Sequence, residues 1–109
     1  MDIKKIIQDN LKPGKELKNW TPLRGYNGDN IIITKIDNNS IDFDAPSSKK
    51  KTITKASVPY SAIIQIYELW EDIKSGKLSR TQYTNSGIKN HFTRYCLDIL
   101  KELENEGLI

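Results

Sequence analysis

The sequence predicts an α+β fold in one domain, and three observations carry that prediction. A β-branched run, Ile31-Ile32-Ile33-Thr34-Lys35-Ile36, is followed by turn residues and then by the alternating segment Ile41-Asp42-Phe43-Asp44-Ala45, which together spell a β-hairpin. Apolar residues at helical spacing flank this centre, at Ile3, Ile6, Ile7 and Leu11 before it and from Ile63 onward after it. A chain of 109 residues has room for one core, and no linker-like stretch divides residues 1–109.

The first helix is expected over residues 2–11, where the three isoleucines and Leu11 share a face. Lys12-Pro13-Gly14 ends it, because proline lacks an amide donor and glycine supplies turn angles. Residues 15–30 contain Trp20, Pro22, Gly25, Gly28 and Asp29 without a period and read as a loop with one short strand around 17–23. The hairpin turns at Asp37-Asn38-Asn39-Ser40, residue types that tolerate left-handed angles. A loop over 46–51 leads to a third strand, Thr52-Ile53-Thr54-Lys55-Ala56, completing a three-stranded antiparallel meander.

Pro59 suits the first turn of a helix that carries Ile63, Ile66, Tyr67, Trp70 and Ile73 and stops at Ser75-Gly76. Ser79-Arg80-Thr81-Gln82 matches a capping box, so a short helix starts there. After Asn85-Ser86-Gly87, a longer helix presents Ile88, Phe92, Tyr95, Cys96, Ile99 and Leu103 on one face and ends near Gly107. These C-terminal helices, joined by tight turns, form a helix-turn-helix-like three-helix unit.

Composition excludes more than it identifies. With 37% hydrophobic and 28% charged residues and a mean hydropathy of -0.60, the chain reads as soluble and foldable. One cysteine, Cys96, excludes an internal disulfide, and one histidine, His91, leaves too few ligands for thiolate or histidine metal sites. No cofactor is expected. No apolar run approaches the ~18 residues of a membrane span, and Met1-Asp2-Ile3-Lys4-Lys5 opens no secretory signal, so a cytoplasmic protein without a membrane partner is expected.

The net charge of +3 is too small to name a partner, and 14 lysines against 3 arginines fit an AT-rich coding genome as well as selection for charge. Its distribution says more. No acid occurs from residue 45 to 67, where Lys49, Lys50, Lys51 and Lys55 lie, or from 73 to 97, where Lys74, Lys77, Arg80, Lys89 and Arg94 lie. The acids collect at Glu68, Glu71 and Asp72 and at Asp98, Glu102, Glu104 and Glu106. Folding either joins the two windows into a basic face or leaves them as ordinary solvated surface, with the lysine triplet on a loop tip.

Catalytic constellations find no support. Cys96 and His91 are five positions apart on one helix, about 140° around its axis, and do not meet as a dyad. Gly25 and Gly28 are not followed by the residues of a phosphate cradle. Asp42, Asp44 and Asp72-Ile73-Lys74 supply the residue types of a metal-dependent nuclease, but the triplet falls on a helix where such a site needs a strand. The chain is expected not to be an enzyme.

Nucleic-acid binding has the better case. In a helix-turn-helix the start of the last helix enters the major groove, which here offers Ser86, Lys89, Asn90, Thr93 and Arg94. Lys, Arg and Asn suit guanine and adenine edges or phosphates. Lys49, Lys50 and Lys51, on a flexible tip, suit phosphates alone, and Arg80 joins them from the second window. The expected partner is double-stranded DNA, through Lys49, Lys50, Lys51, Arg80, Lys89, Asn90, Thr93 and Arg94. The competing reading is a protein-interaction or homodimerisation module that docks through Ile3, Ile6 and Ile7 or through an exposed Trp20 or Tyr26. A piece of a larger enzyme, suggested by the apolar end Gly107-Leu108-Ile109, is the third.

The order of hairpin, short basic loop, strand and helix is followed by Gly76-Lys77-Leu78-Ser79-Arg80 and by Asn90-His91-Phe92-Thr93-Arg94-Tyr95-Cys96-Leu97-Asp98-Ile99-Leu100. Over about two thirds of the chain, this outline resembles a small accessory module found with HNH-type and other restriction-like endonucleases in bacteria. The resemblance implies an auxiliary DNA-facing or regulatory part without catalytic residues of its own. The His pair and Asn of an HNH site are missing here, so nuclease activity is not implied.

Overall fold

Alternating burial along the central strands decides the architecture. The computed structural model describes residues 2–84 and 90–109. Helix α1 (Ile3–Asn10) is followed by the short strands β1 (Glu16–Leu17), β2 (Trp20–Thr21) and β3 (Gly25–Tyr26), then by the long strands β4 (Ile31–Ile36), β5 (Ser40–Ser47) and β6 (Thr52–Pro59). Helices α2 (Tyr60–Glu68), α3 (Trp70–Lys74), α4 (Arg80–Thr84) and α5 (Asn90–Asn105) complete the chain. Along β5, Ile41, Phe43 and Ala45 are buried while Asp42 and Asp44 stay half-exposed, so one face of the sheet packs and the other is solvated. The packed face carries the helices: α2 and α5 lie against each other and both touch β6, and α1 packs against α2. On the solvated face Lys55 bridges to Asp44 at 3.1 Å across the β5–β6 pair. Asp42 and Asp44 therefore lie on the far side of the sheet from Asp72 and Lys74, which are held in the helix layer, and the nuclease-like set does not assemble.

The strands differ in number from the expected three. The main sheet has four strands in the order β1–β4–β5–β6, antiparallel throughout, and β2 and β3 form a separate two-stranded ribbon. Leu17 anchors β1 because its side chain is completely buried, and backbone bonds from Gly14 N–H to Ile33 O and from Ile33 N–H to Lys15 O tie the segment to β4. Two-residue strands are too short to show a period, so residues 15–30 look like loop in the sequence. The register between β4 and β5 shifts between Ile33 and Lys35, leaving Thr34 as the extra residue of a bulge.

At the N-terminus, Asp2 caps α1 by accepting from Lys5 N–H at 3.1 Å. The helix expected from Pro59 to Ile73 is divided into α2 and α3 at Leu69, whose N–H reaches back three residues to Ile66 O at 3.1 Å. That tighter turn needs neither proline nor glycine, and nothing local announces it. Among the described residues, four C-terminal helices thus stand where three were expected. Two aromatic pairs bind the layers together: Phe43 on Tyr95 with centroids 5.0 Å apart, and Trp20 on Trp70 at 5.7 Å. Among the described residues, no helix is long and apolar enough to cross a membrane.

Candidate functional site

The second acid-free window is shaped by a helix start. Ser79 N–H donates to Gln82 Oε1 at 2.7 Å, and Gln82 N–H reaches Ser79 Oγ at 3.4 Å, the reciprocal pair of a capping box. It opens α4 with Arg80 exposed in the first turn. At the start of α5, His91 is exposed and sets its ring edge-on to Phe92, centroids 4.3 Å apart. Arg80, His91, Arg94 and Tyr95 line one shallow depression of about 480 Å³, and no acid is among its described lining residues. Asn90 is the first residue of α5, whereas Lys89 and Ser86 lie outside the described residues, as does the turn at 85–87.

One loop residue joins the two windows. Arg94 Nη2 donates to the backbone oxygen of Asp29 at 3.0 Å. The Asp29 carboxylate in turn accepts from Ser48 N–H at 3.1 Å and from Ser48 Oγ at 3.0 Å. Ser48 begins the turn between β5 and β6, on which Lys49, Lys50 and Lys51 are all exposed, Lys51 in the left-handed region at φ 55°. The lysine turn and the start of α5 are therefore held on either side of Asp29. No sequence pattern links it to residues 19 and 65 positions away. Gly28 beside it has φ +86°, and a Cβ there would meet Asn19 Nδ2 at 2.8 Å, so the loop holding Asp29 calls for glycine at this point.

Base reading by Thr93 does not survive the packing. Thr93 has no exposed surface, so it cannot reach a base edge, and its Oγ1 has no hydrogen-bond partner among the described residues. From Thr93 to Leu100 every residue of α5 except Arg94 is buried, because α2 and β2 both pack against this helix and cover more of it than the single apolar stripe. Arg94 is itself half-buried, its Nε is buried, and its guanidinium is partly committed to Asp29.

Asp98 belongs to this buried side rather than to the solvated acidic end. It is 1% exposed, Oδ1 accepts Trp20 N–H at 2.8 Å, and Oδ2 has no partner among the described residues. Burial pushes its carboxyl up to about 7, against the opposing pull of the Trp20 N–H and the Arg94 charge. The signal in the sequence was its spacing: Tyr95, Asp98 and Ile99 share a helix face, and Asp98 is flanked by Leu97, Ile99 and Leu100. The other C-terminal acids are spent on the fold. Glu102 and Glu106 pair with Lys15 at 3.2 and 3.8 Å, while Glu104 accepts from Lys74, Lys101 and Trp70 Nε1.

The remaining candidates separate cleanly. The Cys96 thiol is buried and pushed up to about 12 by that burial, which removes it as a nucleophile at neutral pH, and His91 is at the surface. Ile3 and Ile7, put forward as docking residues, are core at 2% and 0% exposure, and Ile6 is packed against that core. Trp20 lies against Trp70, with Lys101 4.8 Å from its ring centroid. Tyr26 stays half-exposed and accepts from Asn105 Nδ2 at 2.6 Å. Comparisons with protein-family models, curated proteins and solved structures return no match.

Proposed function

We propose that this chain is a non-catalytic module that binds duplex DNA through its phosphates, of the accessory kind that the resemblance to endonuclease-associated modules implies. Arg80, His91 and Arg94 take phosphates in the depression at the start of α5, and Lys49, Lys50 and Lys51 take them from the neighbouring turn. On this reading α4 and α5 act as a helix-turn-helix-like pair that brings the start of α5 to the duplex, with contacts to the backbone and not to base edges. The observation that carries this reading is the pair of bonds at Asp29, which holds Arg94 and the lysine turn to one loop residue. Phosphate contact asks for clustered cations, and the described lining of the depression brings Arg80 and Arg94 together with His91 and with no acid.

The test is a salt titration of binding to a duplex of mixed sequence. Removing one cation that neutralises a phosphate makes the slope of log K against log salt shallower by about 0.9. Replacing Lys49 and Lys50 together by alanine should make it shallower by about 2, and Arg80→Ala by about 1. Absence of binding at ~50 mM salt, or slopes unchanged in both variants, rejects the reading. Light scattering on the same samples separates it from a homodimerisation module, which would give a stable dimer without DNA affinity.

A further inference from the structure

The geometry points to a second binding site, for a small amphipathic carboxylate, in the hollow between the β2–β3 turn and the α3–α4 connection. The hollow has a volume of about 670 Å³, within the range of small-molecule sites, roughly 300–1,000 Å³. Its floor is apolar: Ile73 and Tyr83 are buried, at 0% and 3% exposure, and Leu78 packs against the core beside them. At the lip, Leu23 sits on the tip of the β2–β3 turn with 90% of its surface exposed. An apolar side chain left in water beside an apolar hollow gains burial when an apolar body lies across both.

The charge at the lip selects the other end of the ligand. Arg24, next to Leu23, is exposed and has no ion-pair partner among the described residues, and Arg80 lines the same hollow. Lys74 also lines it, but Glu71 and Glu104 already answer its charge. No acid is among the described lining residues. An apolar floor with the Arg24 guanidinium at the rim matches a hydrocarbon body carrying one carboxylate, which a guanidinium binds through two parallel N–H donors. Arg80 is shared with the proposed nucleic-acid interface, but the floor and Arg24 belong to no part of it, so the site stands without that reading.

Decanoate is a suitable probe, with decanol as its uncharged counterpart, titrated into the intact chain by calorimetry and followed by backbone amide NMR. Saturable one-to-one binding is expected, with shifts at Leu23, Arg24, Ile73, Leu78 and Tyr83. A charge-assisted hydrogen bond predicts about tenfold weaker binding for decanol and for Arg24→Ala. Leu23→Ser should weaken decanoate severalfold. Both positions are exposed, so an unchanged urea midpoint shows that the variants stay folded. Absence of saturable binding, equal affinity for decanol, an unaffected Arg24→Ala, or shifts away from the hollow each overturn the proposal. Because DNA binding is read separately by the salt slope of the Lys49 and Lys50 variant, either proposal can fail alone.

Discussion

The native chain is expected to lose stability as pH rises from about 4 to about 7, and Asp98→Asn to abolish that fall. Burial raises the Asp98 carboxyl from an ordinary 3.8 to about 7, with Trp20 N–H and Arg94 limiting the rise. Below the lower value the group is protonated in both the folded and unfolded chain and contributes no slope. Between the two values the unfolded chain has lost the proton while the folded chain keeps it, so the folded state binds more protons and stability falls by about 1.4 kcal/mol per pH unit. Across the window this amounts to about 4 kcal/mol, a large share of the ~5–15 kcal/mol that holds a domain together. Above about 7 the native carboxylate ionises in place, and the loss is complete. Asparagine keeps the acceptor for Trp20 N–H and cannot ionise, but it places N–H donors where Oδ2 has no partner among the described residues, at a cost of ~1–3 kcal/mol. The variant should therefore be the less stable protein near pH 4.5 and should match or overtake the native chain near pH 8. Urea unfolding at those values and at about pH 6, followed by the fluorescence of Trp20 and Trp70, measures the difference. A native midpoint that stays flat with pH, or a variant that keeps the native slope, refutes the reasoning.

Two further outcomes follow from the same packing. Cys96, with its thiol raised from 9.0 to about 12, should react with iodoacetamide about a thousandfold more slowly in the folded chain than in urea; labelling at the unfolded rate would show that α5 opens readily. Burial raises the Glu104 carboxyl, but the hydrogen bonds from Lys74, Lys101 and Trp70 outweigh it and hold the group below its usual value, so its contribution is complete above about 4.5 and is lost as pH falls through the lowered value. Glu104→Gln should cost about 1–2 kcal/mol in urea unfolding at neutral pH and should flatten the acid limb; an unchanged acid limb would place that stability elsewhere.

Local chemistry accounts for the parts that were legible before folding. The β-branched run at 31–36 and the alternation at 41–45 fall within the strands they predicted, and Ser79 and Gln82 make the capping box that their spacing of three implied. Arg80, Arg94 and the lysine triplet were recognisable as candidates because charge and acid-free spacing are visible along a chain. Their arrangement was not visible, since Asp29 joins Ser48 and Arg94 only through hydrogen bonds spanning 19 and 65 positions. Thr93 and Asp98 were misread for a related reason. Helical periodicity identifies one apolar stripe, and whether the neighbouring face is also covered depends on what else arrives there.

By itself, then, the sequence determined the α+β class, the long hairpin and the presence of one buried cysteine, all properties of residue type and short-range spacing. Only the tertiary structure decided that residues 15–30 would form three short strands, that α2 and β2 would both pack on α5 and leave Thr93 and Asp98 buried, and that the two basic windows would be tied to one loop. The physical reason is that burial and hydrogen-bond partners are set by segments distant in the chain. A two-residue strand or a lone aspartate carries no pattern that names its partner.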